Sequence, residues 1–214
     1  NAARFDPGTE SWTLLAPMQT GRGGPTAQVL NGKIYVIGGM DTNGSSLASV
    51  EVYDIASGSW SSAAPMITRR DNPGSALLNS SPGSGVPTWK SYVFGGRTRN
   101  SSGVEENGTL NTGEVYDPAT NSWTPIAPMP TGRRTMAVGL LNGKAQLMGG
   151  ERTSTGGTFP QNEEYDPATN SWRTLASMQT ARHGMAAATI NGTVYTAGGG
   201  PSGGNIDLRA GTLT

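Results

Sequence analysis

Four Gly-Gly pairs, at Gly38-Gly39, Gly95-Gly96, Gly149-Gly150 and Gly198-Gly199, mark out a unit that the chain repeats. Each pair ends a short run, "IYVIGG", "SYVFGG", "AQLMGG" or "VYTAGG". Alternating or continuous apolar residues of this length predict a strand, and paired glycines allow a backbone that L-residues avoid or a close neighbour. Upstream of each pair lies a strand of small residues that ends in a turn, as in "GPTAQVLNGK" and "RTMAVGLLNGK". Downstream come a variable loop, then "VEVYD", "GEVYD" or "NEEYD", then a turn, then "SWSSAAPM", "SWTPIAPM" or "SWRTLASM". Four strands per unit, repeated, make this a repeat protein before any other property is weighed.

The repeat fixes its own landmarks. Phe5, Tyr53, Tyr116 and Tyr165 each precede an Asp, and Trp12, Trp60, Trp123 and Trp172 follow at spacings of 48, 63 and 49. Arg22, Arg70, Arg133 and Arg182 each stand four residues after a Met. Asn31-Gly32, Asn142-Gly143 and Asn191-Gly192 are two-residue hairpin turns that require positive φ. "DPGTESW", "DIASGSW" and "DPATNSW" join third strand to fourth, with the Asp accepting local backbone N–H groups. The innermost strands are expected over 24–31, 73–79, 135–142 and 184–191, and the tryptophans in equivalent packed sites between units.

Composition removes several functions. With 15 basic and 15 acidic residues the chain is formally neutral, which leaves no basic stripe for nucleic acid or an anionic membrane. No apolar run approaches the roughly 20 residues of a membrane span. The absence of Cys excludes disulfides and thiolate metal sites. A single His, His183, makes a metal centre or His general base a poor expectation, and packing or loop hydrogen bonding is the simpler role. No metal and no cofactor are expected. Few lysines among many Ser, Thr, Asn and Gly predict an extracellular or cell-surface setting.

The array of Gly-Gly, Tyr-Asp, Trp and post-Met Arg resembles the kelch motif, and in composition the bacterial secreted kelch proteins. That resemblance implies an all-β, kelch-type β-propeller with one four-stranded antiparallel blade per unit. Residues 1–214 would form one domain, with blades at approximately 19–66, 67–129, 130–178 and 179–214 plus 1–18. The chain enters mid-repeat, and its ends meet in phase: Gly96 to Tyr116 is 20 residues, as is Gly199 through 214 to Phe5. The last blade is therefore completed by the N-terminal strands or by a neighbouring unit, in which case the chain is one segment of a longer array or assembly joined through propeller edges.

In such a blade the loops after the second and fourth strands share one face. Loops 40–49, 97–112, 151–161 and 200–214 collect there, and variable loops on a rigid frame are where binding residues concentrate. Arg97, Arg99, Arg134, Arg152, Glu105, Glu106 and His183 are the binding-face candidates, for carboxylate or glycan contacts in the case of the arginines. The repeated Arg22, Arg70, Arg133 and Arg182 are expected to bond neighbouring blades. Kelch-type copper radical oxidases need a Cys-linked Tyr and two His, so that chemistry is excluded. No catalytic residue is assigned. The resemblance implies a non-catalytic extracellular module that binds a protein or glycan, or that builds an assembly. The alternative is a carbohydrate-active enzyme of sialate-mutarotase type, for which Arg134, Glu164 and His183 are the dispersed candidates.

Overall fold

A computed structural model describes residues 2–82, 85–152 and 157–202, with the backbone alone at Asn107. The chain opens with a hairpin, β1 (Ala2–Asp6) and β2 (Ser11–Leu15). The first full blade is β3 (Thr26–Leu30), β4 (Lys33–Ile37), β5 (Val50–Asp54) and β6 (Ser59–Ala63). The second opens with β7 (Gly74–Asn79) and β8 (Trp89–Phe94), then inserts the hairpin β9 (Arg97–Arg99) and β10 (Glu105–Thr109). It closes with β11 (Gly113–Asp117) and β12 (Ser122–Ile126). The third is β13 (Ala137–Leu141), β14 (Lys144–Met148), β15 (Asn162–Asp166) and β16 (Ser171–Leu175). A last hairpin, β17 (Ala186–Ile190) and β18 (Thr193–Ala197), ends the described strands, and no described residue is helical.

Each full blade is a four-stranded antiparallel meander. The expected turns form as the sequence requires, with positive φ at Asn31, Gly32, Asn142, Gly143, Asn191 and Gly192. The turn aspartates accept backbone N–H groups, Ala119 N to Asp117 Oδ1 at 2.9 Å and Ala168 N to Asp166 Oδ1 at 2.9 Å. Lys90 and Lys144, on the neighbouring strand, add ion pairs at 2.9 and 2.8 Å to the same two aspartates.

The core lies in the wedges between blades. Tyr35, Ile37, Val50 and Val52 of the first blade meet Val93, Tyr116 and Trp123 of the second. Tyr92, Phe94 and Leu78 of the second meet Ala145, Leu147 and Tyr165 of the third. Three tryptophans cross their wedges with the indole N–H, Trp60, Trp123 and Trp172 donating to the carbonyls of Ala16, Ala64 and Ala127 at 2.7, 2.8 and 2.9 Å. A large ring with one polar edge suits this place. Trp12 departs from the expected equivalence. It is 71% exposed and among the described aromatic rings meets only Phe5, tilted at 45°, because no described blade stands on its outer side.

The inner strands are joined at one end by backbone bonds that step around the molecule. Asn72 N donates to Gly24 O at 2.8 Å, Thr135 N to Asn72 O at 3.1 Å, and Gly184 N to Thr135 O at 2.8 Å. All four residues have left-handed φ, 58°, 52°, 53° and 67°. Beside them the second glycine of each pair donates to the next blade, Gly39 N to Arg70 O, Gly96 N to Arg133 O and Gly150 N to Arg182 O, at 2.8–3.0 Å. A Cβ on the first glycine would meet that neighbour too: at Gly95 it would lie 2.3 Å from Arg133 O.

The fourth unit stays in two halves. Strand β18 pairs with β17 and β1 with β2, so among the described residues the chain's own N-terminal strands do not complete the last blade. A physical reason lies in β1. Glu51, Glu114 and Glu163 occupy the second position of the third strand in the full blades and neutralise Arg22, Arg70 and Arg133, whereas β1 places Ala3 there. The in-phase stretch of residues 203–214 lies outside the described residues.

Candidate functional site

Two positions per unit build the loop face. The residue after each repeated Arg exchanges backbone hydrogen bonds with the residue after each Gly pair: Gly23 with Met40, Asp71 with Arg97, Arg134 with Glu151, and His183 with Gly200, all at 2.8–3.1 Å. The frame repeats and the side chains do not. It therefore gathers Asp71, Arg97, Arg134, Glu151 and His183, 0–6% exposed, at one end of the inner strands.

These groups satisfy one another. Arg97 Nε donates to Asp71 Oδ1 at 2.9 Å, and Asp71 Oδ2 accepts from Ser46 Oγ at 2.7 Å. Ser46 Oγ in turn accepts the backbone N–H of Arg99 at 2.9 Å. Arg134 Nη2 lies 3.2 Å from Glu151 Oε1, which also accepts from Thr135 Oγ1 at 3.2 Å. His183 Nε2 is 3.8 Å from Glu151 Oε2, while its Nδ1 faces Gly200 O at 3.0 Å. Burial and the like charge of Arg97 lower the Arg134 pKa, against the opposite pull of Glu151, Glu105 and Asp71. Thr135 holds φ of 53°, an outlier for a β-branched residue, and its hydroxyl ties Arg134 O and Glu151 together.

The remaining candidates form a rim. Glu106, on β10, pairs with Arg69 across the insertion. Arg152 lies over the Phe159 ring at 5.5 Å, a cation–π contact. Arg99 reaches Met40 Sδ at 3.6 Å, and among the described residues its Nε and Glu105 Oε1 are buried without a partner. Residues 153–156 and 203–214 of the expected loops lie outside the described residues. Asp71 escaped the sequence reading. Its signal was positional, since it follows Arg70 as Arg134 follows Arg133 and His183 follows Arg182.

The repeated arginines belong to the frame. Arg22, Arg70 and Arg133 pair with Glu51, Glu114 and Glu163 at 2.5, 2.7 and 2.7 Å, with every side chain at most 4% exposed. Burial pushes the Glu51 carboxyl up, but the backbone N–H of Gln19, the Arg22 guanidinium and the N–H of Thr20 outweigh it and hold the group below its ordinary value. Arg182 donates only to Gly198 O, at 3.2 Å, among the described residues. Arg134, Glu164 and His183 do not form one constellation. Arg134 and His183 share Glu151, while Glu164 is held by Arg173, at 2.6 Å, and Gln146. Among the described residues no three His, Asp or Glu could hold a metal ion, and no helix is long and apolar enough to cross a membrane.

Antiparallel four-stranded blades with wedge-filling Trp and a ring of unlike loop residues define a propeller-type repeat array. A family model for the KLHDC2/KLHL20/DRC7 Kelch-repeats domain matches residues 1–199, and the chain belongs to the kelch-repeat family. It is 30% identical over 156 residues to Kelch-like protein 15 of Danio rerio, covering 69% of this chain and 25% of that protein. It is 38% identical over 64 residues to Kelch-like ECH-associated protein 1A of the same species, covering 30% of this chain and 10% of that one. The chain thus spans a quarter or less of these relatives. The solved structure of YjhT shares the fold, with a TM-score of 0.71 at 21% identity over 89% of this chain and 62% of that one.

Proposed function

We propose that this chain is a non-catalytic binding module that holds a protein partner on its loop face. The observation that carries the reading is the contrast between a repeated frame and the unrepeated Asp71, Arg97, Arg134, Glu151 and His183 gathered at one end of it. These buried groups are already paired, so they form a rigid, charge-balanced floor rather than a reactive centre. Arg69, Arg99, Glu106 and Arg152 on the rim supply both signs of charge and suit a polar protein surface better than an apolar ligand. Membership of the kelch family supports the reading, and one relative is named for its association with ECH. A glycan is the lesser choice, since Phe159 of the rim is covered by Arg152. The module works outside the cell or at its surface, in keeping with only three Lys in 214 residues.

Photo-cross-linking residues at Glu106 and Arg152 on the loop face, and at Ser57 and Thr120 on the turns of the opposite face, test this in extracts and secretions of the source cells. The module reading expects protein adducts from the first pair and not from the second. Equal yields from both faces, or retention on a glycan array with no protein adduct, would reject it.

A further inference from the structure

The four left-handed steps do not carry the same kind of residue, and the difference follows the charges beside them. Gly24 and Gly184 stand where the facing positions, Gly23 with Met40 and His183 with Gly200, hold no carboxylate. Asn72 and Thr135 stand in the two units whose facing positions hold an ion pair, Asp71 with Arg97 and Glu151 with Arg134. The backbone bonds of the step ask for no side chain, since glycine makes them in the other two units. Threonine is moreover a poor residue for a φ of 53°.

Both side chains are hydrogen-bond donors, and each reaches the carboxylate of its own unit. Asn72 Nδ2 donates to Asp71 Oδ1 at 2.7 Å, beside the Arg97 Nε bond to the same oxygen at 2.9 Å. Thr135 Oγ1 lies 2.7 Å from Arg134 O and 3.2 Å from Glu151 Oε1, sharing its one proton between them. The carboxylate follows the repeated Arg in one unit and the Gly pair in the other. The step residue serves both arrangements.

We propose that Asn72 and Thr135 are positioning residues for the loop-face ion pairs, each setting a side-chain donor at a left-handed step to hold Asp71 or Glu151 against its arginine. A buried ion pair is favourable only in good geometry with its spare lone pairs bonded, and a charge-assisted donor supplies that. Backbone strain at Thr135 is kept for the same reason. The consequence falls on the arginines. Arg97 is held through Nε, and its two Nη groups have no hydrogen-bond partner among the described residues. A fixed guanidinium plane offers those donors in one direction, which favours a partner with acceptors at the matching places. That last step rests on the reading of this chain as a binding module; the positioning itself does not.

Phenylglyoxal, which condenses with the Nη nitrogens of accessible arginines, reads the pairs in the purified 214-residue chain. Peptide mass mapping should show Arg97 labelled about tenfold faster in Asn72→Gly, the size of one lost hydrogen bond. Arg134 should be labelled about tenfold faster in Thr135→Val and Thr135→Gly. The valine removes the hydroxyl and keeps the branched shape, and the glycine relieves the backbone should the valine variant fail to fold. Thr135→Ser keeps the donor and should label as the native chain does. Arg70 and Arg133 of the frame should not change in any variant. Unchanged labelling of Arg97 and Arg134 overturns the proposal, as does faster labelling that spreads to Arg70 and Arg133. So does a serine variant that behaves like the glycine one. Photo-cross-linking at Glu106 and Arg152 separates this from the module reading. No protein adduct from the native chain refutes the module and leaves the labelling result standing. Adducts that persist undiminished in Thr135→Gly, with Arg134 freed, refute the link between positioning and recognition.

Discussion

Arg133 Nη1 lies 2.7 Å from Glu163 Oε2, and both side chains are at most 2% exposed. The pair joins the loop that enters the third blade to that blade's own third strand, and Leu147 O takes a second guanidinium N–H at 2.8 Å. Burial lowers the Arg133 pKa while Glu163 opposes it, so the two charges stand only together.

Arg133→Ala should therefore destabilise the chain by about 3–5 kcal/mol, because it strands a buried carboxylate. Arg182→Ala removes a side chain with no such partner among the described residues and should cost less than about 1 kcal/mol. Denaturant unfolding of the two variants checks the contrast; equal losses would mean that the repeated Arg does not act through its Glu.

Trp123 and Trp12 hold the same repeat position in opposite environments, 7% and 71% exposed. Trp123→Ala should cost about 3–5 kcal/mol. Trp12→Ala should stay within about 0.5 kcal/mol. Thermal melts of both variants decide it.

Gly95 and Gly143 both hold positive φ, 59° and 75°. A Cβ at Gly143 meets nothing within 4 Å, whereas at Gly95 it meets Arg133 O. Gly143→Ala should cost about 1–2 kcal/mol from backbone strain alone. Gly95→Ala adds a backbone clash and should exceed that by about 1–3 kcal/mol.

Stability should fall at both ends of the pH scale. Glu51, Asp117 and Asp166 have folded-state pKa values below their ordinary 4.5, 3.8 and 3.8, so their contribution is present above those values and is lost as pH falls through the lowered ones. For Tyr92 burial raises the phenol from 10.0 to about 12, so its contribution is present below pH 10 and is lost as pH rises toward 12. Denaturant midpoints from pH 2 to 12 should trace a plateau with two shoulders. Tyr92→Phe should make the alkaline one shallower without removing it, because burial raises the Tyr165 phenol as well.

Much of this architecture is legible in the residues, and what is not has identifiable causes. Asn-Gly and Asp turns act locally, so the hairpins at 31–32, 142–143 and 191–192 could be placed from sequence. The Trp and Tyr sites depend on a neighbouring blade, and Trp12 shows that a local motif cannot say whether that neighbour is present. The Arg–Glu pairing hides in a Glu that strand propensity disfavours but that recurs two residues before each Tyr. Strands β9 and β10 lie in an insertion without repeat counterparts, so periodicity could not place them. Asp71 and Glu151 meet Arg97 and Arg134 through backbone bonds that any residue can make, and composition carries no trace of that.

The left-handed backbone steps through Gly24, Asn72, Thr135 and Gly184 bear on how such a surface evolves. Because amides and carbonyls fix the spacing of the units, the residue just before each step is released from scaffolding duty. Gly23, Asp71, Arg134 and His183 can differ in size and charge while their main chains stay in register. Paired substitutions, of Asp71 with Arg97 or of Arg134 with Glu151, can then change the surface one unit at a time while the main-chain frame stays in place.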